Sequence, residues 1–227
     1  MKIAQLSKLG IPEFAISSFE KKGITELNPA QMKAVNQGLL GGRSMLVCTP
    51  TGSGKTAIAT LAITKRLSEK QGSKAVYLVP LKALANEKFR EYKELFSESG
   101  LKVAISTGDI DSGSEWLANY DVLILTIEKL DSLVRHFCSW LPFVRVIVID
   151  EIHILNDAGR GPTLEVLITI LRELVKDAQI IALSATIGNP ERLAEWLGAE
   201  LVVDDWRPVK LYKGVCFENE IEFDEKV

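Results

Sequence analysis

The strongest chemical signal in the sequence lies between a short apolar run and a helix-forming one. Ser44-Met45-Leu46-Val47 leads into Cys48-Thr49-Pro50-Thr51-Gly52-Ser53-Gly54-Lys55-Thr56, and Ala57-Ile58-Ala59-Thr60-Leu61-Ala62 continues it. Strand, glycine loop, Lys-Thr and helix together form the setting of a phosphate-binding loop. Glycines let successive backbone N–H groups face an anion, and the helix N-terminus adds the positive end of its dipole. Lys55 offers a point charge for outer phosphates, and the Thr56 hydroxyl can ligate Mg²⁺. The general pattern G-x-x-x-x-G-K-[ST] has glycine where this chain has Thr49, so the loop is a variant whose glycines stand at 52 and 54.

A second signal follows about a hundred residues later. Asp150-Glu151-Ile152-His153 succeeds the apolar run Val144-Arg145-Val146-Ile147-Val148-Ile149. At a strand end, Asp150 can hold Mg²⁺ through water, and Glu151 can orient and deprotonate an attacking water. His153 alone reads as a polar residue on a first helical turn. Ser184-Ala185-Thr186 closes the run Gln179-Ile180-Ile181-Ala182-Leu183. Its hydroxyls can hydrogen-bond the carboxylates, although by itself the run reads as strand-end capping before Asn189-Pro190. Together the three segments point to hydrolysis of a nucleoside triphosphate. A small-molecule kinase would instead need an arginine-bearing lid, and Glu151 beside the metal aspartate favours water as the nucleophile.

The elements that must position these residues are legible in outline. Apolar runs at Met45–Cys48, Ala75–Val79, Val103–Ser106, Val122–Leu125, Val144–Ile149 and Ile180–Leu183 alternate with helical stretches. Their near-continuous Val/Ile/Leu character marks strands buried on both faces. The pattern predicts an α/β doubly wound, mainly parallel sheet with helices on both faces. Ligands of such sheets sit beyond the carboxyl ends of the strands. Upstream, Pro12 opens a helix carrying Phe14, Ile16 and Phe19 that Gly23 ends. Asn28-Pro29 caps a second helix from Ala30 to Leu40, stopped by Gly41-Gly42.

Composition narrows the class further. The 227 residues are 47% hydrophobic and 25% charged, enough for one large core. The formal net charge of −3 gives no global basic footprint, so any nucleic-acid contact must be local. Cys48, Cys138 and Cys216 stand far apart without a C-x-x-C pair, which fits a reducing cytoplasm and argues against a zinc or iron–sulfur site. The first eight residues lack the apolar core of a signal peptide, and no run reaches membrane-spanning length.

Thr49–Thr56, Asp150-Glu151-Ile152-His153 and Ser184-Ala185-Thr186 resemble motifs I, II and III of superfamily 2 helicases, a family whose phosphate loop commonly begins with Ala or Thr. Pro80-Leu81-Lys82-Ala83-Leu84-Ala85-Asn86-Glu87-Lys88 resembles motif Ia. Ser106-Thr107-Gly108-Asp109 and Thr126–Leu133 resemble further strand-binding motifs, and Leu27-Asn28-Pro29-Ala30-Gln31 resembles the adenine-reading Q motif. Asp205-Trp206-Arg207-Pro208-Val209 is similar to the segment leading out of a first motor domain. The combination most resembles the superkiller-type branch, within it the archaeal repair helicases related to the helicase region of DNA polymerase theta.

The resemblance implies a RecA-like motor using ATP and Mg²⁺. Residues 1–40 would be N-terminal helices with the Q-like motif, 41–205 the first RecA-like ATPase domain, and 206–227 an exit segment. Gln31 and Thr49 through Thr56 would bind nucleotide, with Thr56 and Asp150 on the metal. Lys55, Asp150 and Glu151 would be catalytic, and His153, Ser184, Ala185 and Thr186 would couple hydrolysis to motion. Without that likeness Gln31 reads as a solvent-facing helix residue and Phe19 as helix core. Pro80, Lys82, Thr107, Gly108, Thr126 and Lys129 would contact the backbone of a single strand. Lys82 or Lys129 alone reads as an ordinary solvated lysine. DNA is favoured over RNA by the finer likeness only, and a nucleotide-binding module without turnover is the other alternative. Arg160-Gly161 with Glu165 is typical of the branch, with helix capping or an ion pair as its plain reading. No run resembling Q-x-x-G-R-x-G-R occurs. The resemblance therefore implies a second RecA-like domain, in cis beyond residue 227 or in trans. The isolated chain is expected to bind ATP–Mg²⁺ weakly, to hydrolyse it poorly and not to unwind a duplex.

Overall fold

The computed structural model describes residues 1–108, 114–210, 212, 214–217 and 220–223. Seven strands form one sheet: β1 (Met45–Cys48), β2 (Lys74–Val79), β3 (Val103–Ser106), β4 (Val122–Thr126), β5 (Val144–Ile149), β6 (Gln179–Ser184) and β7 (Glu200–Val203). All their pairings are parallel, in the order β3-β4-β2-β5-β6-β1-β7. The fold is α/β and RecA-like. A further antiparallel pair joins β8 (Gly214–Phe217) and β9 (Glu220–Phe223).

Strand periodicity divides the interior into two cores. Met45, Val47, Tyr77, Val79, Val146 and Val148 face one side, with helices α1 (Glu13–Lys21), α2 (Pro29–Asn36), α3 (Lys55–Glu69) and α4 (Lys82–Leu95). Leu46, Cys48, Val76, Leu78, Ile147 and Ile149 face the other, with α5 (Ile127–Arg135), α6 (Gly161–Leu174) and α7 (Pro190–Leu197). Double-sided burial is why β2 and β6 are buried along their whole length.

Two local expectations are corrected. The second helix ends at Asn36, not Leu40, because Gly38 adopts φ 100° and breaks it before a short 3-10 turn at Leu39–Gly41. β7 was not expected, since its apolar core is only Leu201-Val202-Val203; register with β1 makes it a strand. Phe19 is 6% exposed within the first core, as its helix-core reading implies.

Candidate functional site

The strand order sorts the sequence motifs along one edge of the sheet. Thr107-Gly108, Thr126 and Pro80 end β3, β4 and β2. Asp150-Glu151, Ser184 and Thr49 end or follow β5, β6 and β1. The strand-binding candidates thus occupy one half of the carboxyl edge and the nucleotide candidates the other, meeting at the β2–β5 junction. Asp109 lies outside the described residues.

The phosphate loop is built around two left-handed glycines, Gly52 at φ 80° and Gly54 at φ 82°, the second directly before α3. Thr49 and Ser53 are buried, and their hydroxyls are 2.7 Å apart, bracing the loop from within. Lys55 Nζ donates to the carbonyls of Thr49 (2.9 Å) and Pro50 (3.2 Å). Burial pulls the Lys55 ammonium below its ordinary value, while Glu151 and Asp150 oppose that shift.

Gln31 does not face solvent as its position suggested; it is 3% exposed. Its Oε1 accepts from the backbone N–H of Asn28 (3.0 Å), and its backbone N–H donates to Asn28 Oδ1 (2.9 Å), a capping box at the start of α2. Gln31 Nε2 then donates to the Gly54 carbonyl (3.2 Å), and Asn28 Nδ2 to the Ser53 carbonyl (2.7 Å). The Q-like segment therefore clamps the phosphate loop. One N–H and one amide lone pair of Gln31 are left over.

At the β5 end, Tyr77 donates from its hydroxyl to Asp150 Oδ2 (2.8 Å), and Asp150 Oδ1 accepts from the Glu151 N–H (3.0 Å). A buried tyrosine needs a partner for its hydroxyl; here the partner is the Asp150 carboxylate. Burial and the Asp150 charge push the Tyr77 phenol well above its ordinary value, so it stays a donor. Glu151 adopts φ 51°, a left-handed conformation unusual for a non-glycine residue, and turns the chain out of the strand. Its side chain is half-buried, 3.3 Å from His153 Nδ1. The hydroxyl of Ser184 is buried with no hydrogen-bond partner among the described residues, whereas Thr186 is exposed.

The other half of the edge is less uniform. Lys82 is exposed at the start of α4, and Thr107 and Gly108 are half-buried beyond β3. Pro80 is buried, its carbonyl accepting from Arg160 Nη1 (3.1 Å). Lys129 is not a solvated lysine. It is 6% exposed and Thr126 3%, and Thr126 Oγ1 accepts from the Lys129 N–H, capping α5. Burial at the β4–α5 turn, in register beside β2 and β3, leaves these two side chains little surface for a strand. Arg160 pairs with Asp157 (3.8 Å), while Glu165 is exposed. Gly161 is explained by contact: a Cβ there would stand 2.2 Å from the Leu155 carbonyl oxygen.

Three participants escaped sequence reasoning. Tyr77 was detectable in principle, as the sole hydroxyl in a strand buried on both faces. Asn28 was read as a helix cap within the Q-like run, without its contact to the phosphate loop. Lys88, whose Nζ donates to Thr56 Oγ1 (3.1 Å), lay at the end of the motif Ia-like run without a role of its own.

Residues 28–193 match the DEAD/DEAH box helicase family. The chain belongs to that family. It is 54% identical over 215 residues to the ATP-dependent DNA helicase Hel308 of Pyrococcus horikoshii, covering 95% of this chain and 29% of that protein. It is 50% identical over 206 residues to the Hel308 of Methanocaldococcus jannaschii, covering 88% and 17%. A crystal structure of the DUF1998 helicase MrfA bound to DNA superposes with a TM-score of 0.73 at 31% identity, over 86% of this chain and 30% of that one. A second MrfA structure, bound to DNA and AMPPNP, gives 0.73 and 31% over 86% and 29%. The chain therefore spans less than a third of the length of these relatives. Among the described residues no helix is long and apolar enough to cross a membrane.

Proposed function

We propose that the chain is the ATP-binding first motor domain of a cytoplasmic, ATP-dependent DNA helicase acting in repair or replication restart. One observation carries the reading. The glycine loop after β1 and the Asp150-Glu151 pair after β5 are brought to the same carboxyl edge of the sheet with only β6 between them, beside a separate run of strand ends suited to a nucleic-acid backbone. The donor set fits a magnesium nucleotide. Gly52 and Gly54 present left-handed backbone before α3, and Thr56 and Asp150 are hard oxygen donors. Thr49 through Thr56 would hold the phosphates, Thr56 and Asp150 the metal, and Gln31 the base.

Bound ATP–Mg²⁺ supplies the cleavable phosphoanhydride. The chain's own residues do the rest. Lys55 presents its charge from the loop. Tyr77 fixes Asp150, and the Glu151 carboxylate orients a water and takes its proton. Ser184, Ala185, Thr186 and His153 stand next to these groups and would relay the change. Lys82, Thr107 and Gly108, with Pro80 fixing the turn, would take strand phosphates in a sequence-independent, salt-sensitive way. Thr126 and Lys129 would support this region from beneath. Named as DNA helicases, the Hel308 relatives favour DNA over RNA. A second RecA-like domain would complete the motor.

The test is strand-stimulated ATP hydrolysis and unwinding by the full-length protein, with matched DNA and RNA competing. DNA-dependent turnover that Lys55→Ala abolishes supports the proposal. Preference for RNA, or turnover indifferent to Lys55, refutes it.

A further inference from the structure

Lys88 lies in the middle of α4 with its side chain only 9% exposed. Other lysines of this helix, Lys82 and Lys93, stay at the surface. A buried ammonium is costly unless paired, and Lys88 has two partners. Its Nζ donates to Glu91 Oε2 (3.1 Å) on its own helix and to Thr56 Oγ1 (3.1 Å) on α3. Glu91 is held in turn by Lys22 Nζ (3.4 Å) from the end of α1. A chain of polar contacts thus runs from the N-terminal helices through α4 to the threonine of the phosphate loop.

A threonine hydroxyl has one donor and two lone pairs. In a helix its χ1 splits between two rotamers, because Oγ1 can turn back to a carbonyl of the preceding turn. An ammonium on one lone pair selects one rotamer and leaves the other lone pair free. Resting on the nucleotide-site reading above, we propose that Lys88 is a positioning residue for the divalent cation, orienting the Thr56 hydroxyl while Glu91 orients Lys88. The metal half of the site is thereby set by α4, the helix that begins at the proposed strand-binding edge.

The test is binding of a fluorescent N-methylanthraniloyl-ADP to the 227-residue chain, titrated with Mg²⁺ and repeated in EDTA. Lys88→Met is expected to raise the Mg²⁺ concentration for half-maximal tightening by about tenfold, the worth of one hydrogen bond to a charged group. Affinity in EDTA should change little. Lys88→Gln, which keeps an N–H donor, should recover most of the loss. In a Thr56→Val background the Lys88→Met effect should vanish, since a shared interaction is non-additive. Glu91→Gln, remote from the phosphate loop, should act in the same direction more weakly, and it carries the test if Lys88→Met does not fold. A wild-type Mg²⁺ requirement kept by Lys88→Met, an equal loss in EDTA, or an effect that persists in the Thr56→Val background would each overturn the inference. Absence of Mg²⁺-dependent binding in the wild type would instead defeat the nucleotide-site reading itself.

Discussion

Gly52 and Gly54 look interchangeable in the sequence, and the structure says they are not. Both sit at left-handed φ, 80° and 82°, so alanine at either strains the backbone by about 1–2 kcal/mol. At Gly52 nothing lies within 4 Å of the added Cβ. At Gly54 it would stand 2.7 Å from Gln31 Nε2 and 3.2 Å from Asn28 Nδ2. A flexible side-chain end would ordinarily move aside cheaply. Gln31 is buried and holds both the Gly54 carbonyl and the Asn28 N–H, so moving it sacrifices one or two hydrogen bonds. Each is worth about 0.5–1.5 kcal/mol. Gly54→Ala should therefore be less stable than Gly52→Ala by about 0.5–3 kcal/mol. The entropy that alanine removes from the unfolded chain is common to both and cancels. For a chain of this size the gap is roughly 1–12 °C in Tm. Thermal and urea unfolding without nucleotide, followed by circular dichroism, would measure it. Adding Gln31→Ala should close most of the gap by removing the obstructing amide. Equal destabilisation at the two glycines, or a gap untouched by Gln31→Ala, would refute the clamp.

Other outcomes follow from the same geometry. Glu151→Gln in the full-length protein should retain nucleotide while turnover falls by about 10²–10⁴-fold, the contribution of the proposed general base; single-turnover hydrolysis reads this directly. Cys48 is 3% exposed and its thiol is pushed up to about 11, chiefly by burial, with Lys55 opposing. Iodoacetamide at about pH 8 should therefore leave Cys48 unmodified in the native chain and alkylate it after denaturation, as peptide mass spectrometry would show. Asp204 is held below the ordinary carboxylate range, first by its hydrogen bond to Lys33 (2.6 Å). A lowered carboxylate stabilises above the unfolded pKa near about 3.9, and that contribution is lost as pH falls through the folded value. Lys33 is half exposed, which limits the pair to under about 1 kcal/mol. Asp204→Asn should thus lower the urea midpoint slightly at about pH 7 and lose that deficit toward about pH 3.

What the sequence could and could not convey follows from the range of each interaction. The phosphate loop and the Asp150-Glu151 pair are local, so their residue types and flanking runs sufficed. Six strands were visible because burial on both faces leaves near-continuous apolar runs. β7 was not, because it needs β1 beside it. Tyr77–Asp150, Lys88–Thr56 and Gln31–Gly54 join positions 73, 32 and 23 residues apart. Each arises only once the strand order and the packing of α2 and α4 are set. Thr126 and Lys129 show the converse: their motif was legible, but their burial depended on the β4–α5 turn. Gly161 was noticed without a reason, which the Leu155 carbonyl supplies.

The order β3-β4-β2-β5-β6-β1-β7 also ranks the two halves of the site by how easily they open. Interior strands exchange their amides only on near-global unfolding, whereas an edge strand can fray at much lower free energy. β5, which ends at the proposed catalytic carboxylates, is the middle strand, and β3, which ends at Thr107 and Gly108, is an outer one. The proposed hydrolytic groups therefore ride on the slowest-exchanging part of the molecule. The proposed nucleic-acid edge includes one of its softest, where a surface can adapt to a moving backbone without loosening the chemistry.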